Sequence, residues 1–234
     1  MTMMRSRSLE KELLDADEIP SDDLRQNLRE LDIINHYLGG HSITIKGIKQ
    51  LIKNQKQSIS ILDIGSGGGD TLKAVAIWGR EQNQKLKLIG VDLKNDCIEF
   101  AKENCIDFPE ISFIQSDYRT IEHSDLKIDI IISSLFCHHL TNDEIVVFLR
   151  WMHKNSRTGF IINDLQRHPI AYQSIKLLTT LFSKSYLVKN DAKLSVARGF
   201  IKSDWENLIH KAGIKNAYIK WHWAFRHLIV VNTE

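Results

Sequence analysis

An excess of charge of either sign is what this sequence lacks first. Its 31 lysines and arginines stand against 29 aspartates and glutamates, a net of +2. Nothing in that balance advertises a nucleic-acid partner or an anionic membrane surface. Cysteine is scarce too. Cys97, Cys105 and Cys137 form no CxxC pair, which excludes a zinc or redox motif by spacing and suits a reduced, cytoplasmic protein. Residues 1–14 hold no uninterrupted apolar segment, so a secretory signal is not expected. No stretch approaches the ~20 apolar residues of a membrane span. There is no internal repeat and no low-complexity tract.

What remains is 234 residues, 43% hydrophobic and 26% charged, enough for one domain with a substantial core. The first 18 or so residues are charged and expected to be loose. A helix then starts at Ser21, with Asp22 and Asp23 in its first turn. Leu24, Leu28, Leu31 and Leu38 recur at helical spacing until Gly39 and Gly40 stop the run. A second helix, from Ser42 to about Asn54, places Ile45, Ile48, Leu51 and Ile52 on one face. The basic residues over 46–56 share that helical spacing and read as its solvated side. Residues 1–58 are thus expected to form an N-terminal helical cap.

From residue 59 the pattern alternates. Strands are expected at 59–64, 86–91, 111–115, 128–133 and 159–163, and helices at 70–80, 95–104, 141–155 and 203–212. Thr141 with Glu144 and Ser203 with Glu206 match the capping box, and Gly213 sits where a helix ends on glycine. Apolar strands such as 128–132 indicate a mainly parallel sheet covered on both faces. Two departures stand out: an insertion at about 165–200, helical around 170–182, and a closing antiparallel hairpin at 217–221 and 226–231.

The most informative stretch is Asp63-Ile64-Gly65-Ser66-Gly67-Gly68-Gly69-Asp70. A strand turning through glycines into a helix would set bare backbone N–H groups and a helix N-terminus against a ligand. The next strand ends on Asp92, where an acid could take the hydroxyls of a ribose. The dinucleotide fingerprint would need glycine at position 70, where this chain has Asp70, so a nicotinamide-dependent dehydrogenase is disfavoured. The loop instead reads acid-x-Gly-x-Gly-x-Gly, through Asp63, Gly65, Gly67 and Gly69.

In these residues the sequence resembles the class I S-adenosylmethionine (SAM)-dependent methyltransferases, from about residue 59 to Asp164 and more weakly to the hairpin. The resemblance implies a Rossmann-like fold, with SAM as cofactor. It implies that Asp63, Gly65, Ser66, Gly67 and Gly69 face the methionine end, that Asp92 binds the ribose with Leu93 beside the adenine, and that Asp117 and Tyr118 meet that ring. Ser133 and Ser134 would line the floor. Blander readings exist: Asp63 bracing the loop, Asp92 capping the helix at 95, Asp117 an ordinary loop aspartate.

Cys137-His138-His139-Leu140 follows the fourth strand on the rim where a methyl acceptor would approach. A phenol or alcohol must lose a proton on methylation, which suits a neutral imidazole. Adjacent side chains cannot both face a pocket in the same way, so one of His138 and His139 is expected to be structural. Neither has a third partner at metal-binding spacing, and of the acids that metal-assisted members carry only Asp164 is present, so no metal is expected. An Asn/Asp-Pro-Pro-aromatic motif for nitrogen methylation and a Pro-Cys nucleophile are both missing. The polar run 163–169 is expected to point into the crevice. The apolar helix behind Pro169 reads as core or as a cover over an acceptor pocket, and Trp221, Trp223, Phe225 and Arg226 as the far wall or as sheet-edge packing.

Asn163-Asp164-Leu165 with Arg167-His168-Pro169, Leu38-Gly39-Gly40-His41 and Arg226 resemble a subgroup found with polyketide-type biosynthesis. The expectation is O-methylation of a small, largely apolar phenolic or polyketide-like acceptor, with no nucleic acid as partner; a homodimer is compatible with the sequence. The rivals are an RNA or protein methyltransferase, which would want a basic face or an added recognition domain, and a nucleoside-binding regulatory protein without turnover.

Overall fold

The computed structural model describes residues 4–16, 18–52, 57–121 and 128–233. The expected end of the second helix at Asn54 lies outside them. A seven-stranded sheet organises the molecule, in the order β3-β2-β1-β4-β5-β7-β6. Its strands are β1 (Ile59–Ile64), β2 (Leu86–Asp92), β3 (Ile111–Gln115), β4 (Ile130–Ser134), β5 (Gly159–Leu165), β6 (Ala217–His222) and β7 (Arg226–Asn232). β1 to β5 pair in parallel, and β7 runs antiparallel between β5 and β6. The Rossmann-like sheet with an antiparallel C-terminal hairpin is therefore present as expected. The order reverses beside β1, whose carboxyl end opens beside that of β4, and open α/β sheets bind ligands at such a switch point.

The helices are α1 (Ser21–Tyr37), α2 (Gly40–Ile52), α3 (Asp70–Glu81), α4 (Asn95–Asn104), α5 (Asn142–Asn155), α6 (Pro169–Phe182), α7 (Tyr186–Arg198) and α8 (Lys202–Ala212). Alternation along the strands explains how they cover both faces. Ile59, Ile61, Ile130, Ile132, Ile161 and Leu228 pack with Ile43, Ile48 and Leu51 of α2 and with Leu72 and Val75 of α3. On the opposite face Leu62, Ile64, Ile131, Ile162 and Ile229 meet Phe148 and Met152 of α5 and Trp205 and Leu208 of α8. α2 is thus a sheet-covering helix. α1 stands apart, with Leu24 and Leu28 against Cys97 and Phe100 of α4.

Local signals account for most boundaries. Thr141 accepts from the Glu144 amide while Glu144 takes the Thr141 amide at 2.8 Å, closing the expected box. Gly213 ends α8 at φ +79°. The box expected from Ser203 does not form: α8 starts one residue earlier, and Asp204 reaches back to the Ile201 amide at 3.0 Å.

Two expectations fail. The insertion holds a second helix, α7, whose buried residues include Asp191 and Arg198 beside Leu187, Val188 and Val196. Buried charges interrupt the apolar period that would have announced it. The N-terminal segment is also pinned. The Leu13 and Leu14 amides donate to the two oxygens of Asp191 at 2.9 Å each. Arg7 donates to the carbonyls of Arg198, His138 and Leu140, and to Asn142 Oδ1 at 2.7 Å. Its charges are ordered because their partners come from α7 and from the loop after β4.

Candidate active site

Two cavities open at the carboxyl ends of the strands. The first, about 390 Å³, is bounded by the glycine loop, Asp92, Leu93, Asp117, Tyr118 and Ser134. Its floor carries Asp63, 2% exposed, whose Oδ1 has no hydrogen-bond partner, and the buried Ser66 Oγ is likewise unpartnered. Burial, with Asp70 and Asp92 nearby, pushes the Asp63 carboxyl well above its usual range. A buried carboxylate left open in this way is costly unless a donor arrives. An ammonium group is a donor of the right sign, so the residues present fit the amino-acid end of SAM.

Four of the loop's amides are not free for a ligand, contrary to what its glycines suggest in sequence. The Gly65 and Ser66 amides both donate to Val91 O, Gly69 donates to Ser66 O, and Gly67 donates to Asp92 Oδ2 at 2.9 Å. Asp92 also takes the Lys94 amide through Oδ1 at 3.0 Å, so it is Asp92, not Asp63, that braces the loop. What the glycines supply is shape. Gly65 sits at φ +73°, and a Cβ there would meet the Phe136 ring at 2.5 Å.

Two expected cofactor residues stand off the cavity wall. Gly69 closes the N-terminus of α3 at φ +75° and backs onto Phe113. Ser133, 1% exposed, donates from Oγ to Ile64 O at 3.1 Å and so ties β4 to β1. Of the others, Asp117 holds Arg119 through that residue's amide and guanidinium. Tyr118 packs edge-on against Phe136 and Phe148.

The second cavity, about 330 Å³, lies beneath α1, α6 and α7, with Leu31, Ile34, Ile175, Leu178 and Val188 among its apolar walls. Leu14, Leu31, Asn35, Leu135 and His139 line both cavities, so the two meet at a common wall. Backbone strain gathers around the second cavity. Leu135, Ala224 and Phe225 line the second cavity and adopt φ +55°, +64° and +55°, a conformation that non-glycine residues keep only where their surroundings enforce it. Of the two readings open for them, Trp223, Phe225 and Arg226 follow the first and line this cavity. Trp221 does not: it lies at the sheet edge and donates to Gln166 Oε1 at 2.7 Å.

Both histidines reach the second cavity, in different settings. His138, 3% exposed, has Nδ1 2.8 Å from Asp164 Oδ1 and Nε2 3.6 Å from Glu12 Oε1. His139 has Nδ1 2.7 Å from Asp15 Oδ1 and Nε2 3.9 Å from Glu12 Oε2. Burial pushes Glu12 up to about 7, against His139, Ser195 and Arg198. Burial also works to raise Asp15, but its hydrogen bond to His139 and the charges of His139 and Arg198 hold it well below the usual range. Glu12 is the third group near the histidines that their own spacing lacks; the three ligand atoms lie within 4.8 Å of one another. Each already has a protein partner, since Asp164, Asp15 and Ser195 take up the cluster's other contacts.

Most of the polar run 163–169, which begins inside β5, turns away from the crevice. Asn163 donates to Gly40 O at 2.9 Å, and Arg167 donates to Gly199 O at 2.7 Å and to Asp204. Asp164 is fully occupied by His138 and the Leu165 amide. These groups sit deep enough to need partners of their own, and the nearest were backbone. Glu12, Asp15 and Asn35 are the site residues that sequence reasoning missed. The first two lie in a segment without periodicity, with Asp15 124 residues from His139 and Glu12 183 residues from Ser195.

A family model described as a methyltransferase domain matches residues 55–213, more than half of the chain. No curated protein matches by sequence. Among solved structures, the plantazolicin methyltransferase BpumL, in complex with a triazolic desmethylPZN analog and SAH, is 15% identical with a TM-score of 0.66, over 89% of this chain and 91% of that one. A SAM-dependent methyltransferase from Aquifex aeolicus is 14% identical with a TM-score of 0.62, over 93% and 100%. The CMeT domain of the citrinin polyketide synthase is 14% identical with a TM-score of 0.61 over 82% of this chain, which spans about half (52%) of that chain's length. At these identities the likeness is one of fold. The chain belongs to the methyltransferase-domain family, and its fold is that of the SAM-dependent methyltransferase from Aquifex aeolicus.

Proposed function

We propose that the protein methylates an oxygen of a small, largely apolar acceptor, with the glycine-loop cavity holding SAM and the cavity beneath α1, α6 and α7 holding the acceptor. The observation that carries this is the common wall. Leu135, Asn35 and His139 line both cavities, so the two reactants would meet there with little solvent between them, and positioning of that kind carries much of a methyl transfer.

In this reading Asp63 and Ser66 receive the ammonium end of SAM, Asp92 the ribose hydroxyls, and Leu93, Asp117 and Tyr118 surround the adenine. Bound there, SAM supplies a methyl group on a sulfonium sulfur, which leaves as the thioether once the acceptor oxygen has taken the methyl. The acceptor's proton needs a destination. His139, with Nδ1–H donated to Asp15, keeps a lone pair at Nε2 beside the common wall and is our choice of base. His138, almost fully buried between Asp164 and Glu12, orients the cluster. Oxygen is favoured because an imidazole base serves a hydroxyl and no nitrogen-methylation motif is present.

Incubating the protein with SAM and a panel of phenolic and polyketide-like acceptors, and following S-adenosylhomocysteine (SAH) together with a product 14 mass units heavier (about one CH₂), tests the reading. SAH formation only with RNA or protein would redirect it to a macromolecular substrate. SAH binding with no turnover on any acceptor would favour the regulatory alternative.

A further inference from the structure

Three arginines are buried among the described residues: Arg167, Arg198 and Arg226, at 3%, 6% and 2% exposure. Two of them are satisfied by the fold. Arg198 donates to the carbonyls of His138, Glu10 and His139 and to Asp15. Arg167 donates to the carbonyls of Met4 and Gly199 and to Asp204. Each is paired with a carboxylate.

Arg226 is different. Its Nη2 donates to Asn35 Oδ1 at 2.7 Å, while Nε and Nη1 have no hydrogen-bond partner. Among the described residues no carboxylate hydrogen-bonds it. Asp164, the acid whose charge it feels, spends its oxygens on His138 and Leu165. Asp191 holds the Leu13 and Leu14 amides, and Glu12 accepts from Ser195. Burial pushes the guanidinium down to about 10, which leaves it a cation at neutral pH. The fold also makes room for it: a Cβ at Gly40 would come within 3.2 Å of Arg226 Cζ. Arg226 lines the second cavity, and so does Asn27, whose buried Nδ2 is also unpartnered. A buried cation with two unpartnered nitrogens beside an apolar cavity is costly unless an anion completes it.

We infer that Arg226 is the anion-binding residue of the acceptor cavity, and that the acceptor carries a carboxylate, or an oxyanion of similar shape, on an apolar body. The inference rests on the proposed placement of the acceptor and adds its chemical class. The guanidinium fork matches a planar two-oxygen anion, Asn27 adds a neutral donor, and Leu31, Ile34, Ile175 and Leu178 receive the hydrocarbon.

Calorimetry on the SAH-saturated protein, with decanoate and decan-1-ol as matched probes, tests this. Decanoate is expected to bind roughly tenfold or more tightly than the alcohol, the usual worth of a hydrogen bond to a charged group. Arg226→Met should abolish that preference while decan-1-ol binding persists. Should R226M fail to melt cooperatively, R226K keeps the charge and loses the fork; a severalfold loss confined to decanoate is then expected. Equal affinity of the wild type for both probes, or a preference untouched by R226K, overturns the inference. Failure of the wild type to bind SAH would instead remove the methyl-transfer reading, a separate measurement.

Discussion

Within the proposed active site, two side chains carry separable roles. His139 stands on the common wall and Asp92 at the end of β2, so their substitutions should divide turnover from cofactor binding. His139→Ala is expected to lower kcat by about 10²–10⁴-fold, the usual worth of a positioned base, with SAH affinity unchanged by calorimetry. Equal loss of both would mark His139 as structural. Asp92→Ala should weaken SAH binding, and more than loss of one ribose contact would, because Asp92 also takes the Gly67 and Lys94 amides. Unchanged affinity would remove Asp92 from the ribose site.

At the scale of elements, the N-terminal segment and the glycine loop make distinct demands. The segment carrying Glu12 and Asp15 is fastened to α7 by Asp191, which accepts two backbone amides while 5% exposed. Asp191→Ala would orphan those amides at a cost of about 1–3 kcal/mol each where they stay buried. Urea denaturation should show the loss, and turnover should fall with it as Glu12 and Asp15 leave the histidines.

The loop invites a comparison of two glycines in the same conformation. Gly65 and Gly213 lie at φ +73° and +79°, but a Cβ at Gly65 meets Phe136 whereas one at Gly213 meets nothing within 4 Å. Gly213→Ala should cost only the conformational penalty of about 1–2 kcal/mol. Gly65→Ala should cost more and weaken SAH binding as well, because Phe136 must move. Equal destabilisation of the two would show that Phe136 yields freely.

Across the whole molecule, burial of carboxyls around the glycine loop couples folding to pH. Asp63, raised above its usual range chiefly by burial, stays protonated in the folded ligand-free chain at pH values where the unfolded chain has already released that proton. Between the unfolded value near 3.8 and the raised folded value, the folded state binds more protons, so this group's contribution to stability falls as pH rises. Thermal melts of Asp63→Asn against wild type should therefore show the wild type losing ground with rising pH over that window. SAH should reduce the difference by pairing the carboxylate. A difference independent of pH would mean that Asp63 titrates normally.

The strands and the helices α3, α4 and α5 were legible in the sequence because their apolar periods, caps and glycines act within a few residues of one another. The acid-glycine loop was legible for the same reason, and it sufficed to imply the cofactor class. α7 was hidden, since Asp191 and Arg198 on its buried face break the apolar period, and only distant partners make their burial tolerable. The polar run 163–169 misled in the opposite way. Its residue types suggested a crevice, while the register of β5 between β4 and β7 turned Asn163 and Asp164 into the interior.

By itself the sequence determined the alternation of strand and helix, the glycine turn and the acid at the end of β2, all written in short-range periodicity and backbone freedom. Only the tertiary structure decided that the Gly65, Ser66, Gly67 and Gly69 amides are consumed internally, that Glu12 and Asp15 join the histidine pair, and that two nitrogens of Arg226 are left unpartnered. Each of those outcomes depends on which groups far apart in the chain are brought within hydrogen-bond reach. That reach is set by the packing of the sheet and its helices, and no local pattern of residues encodes it.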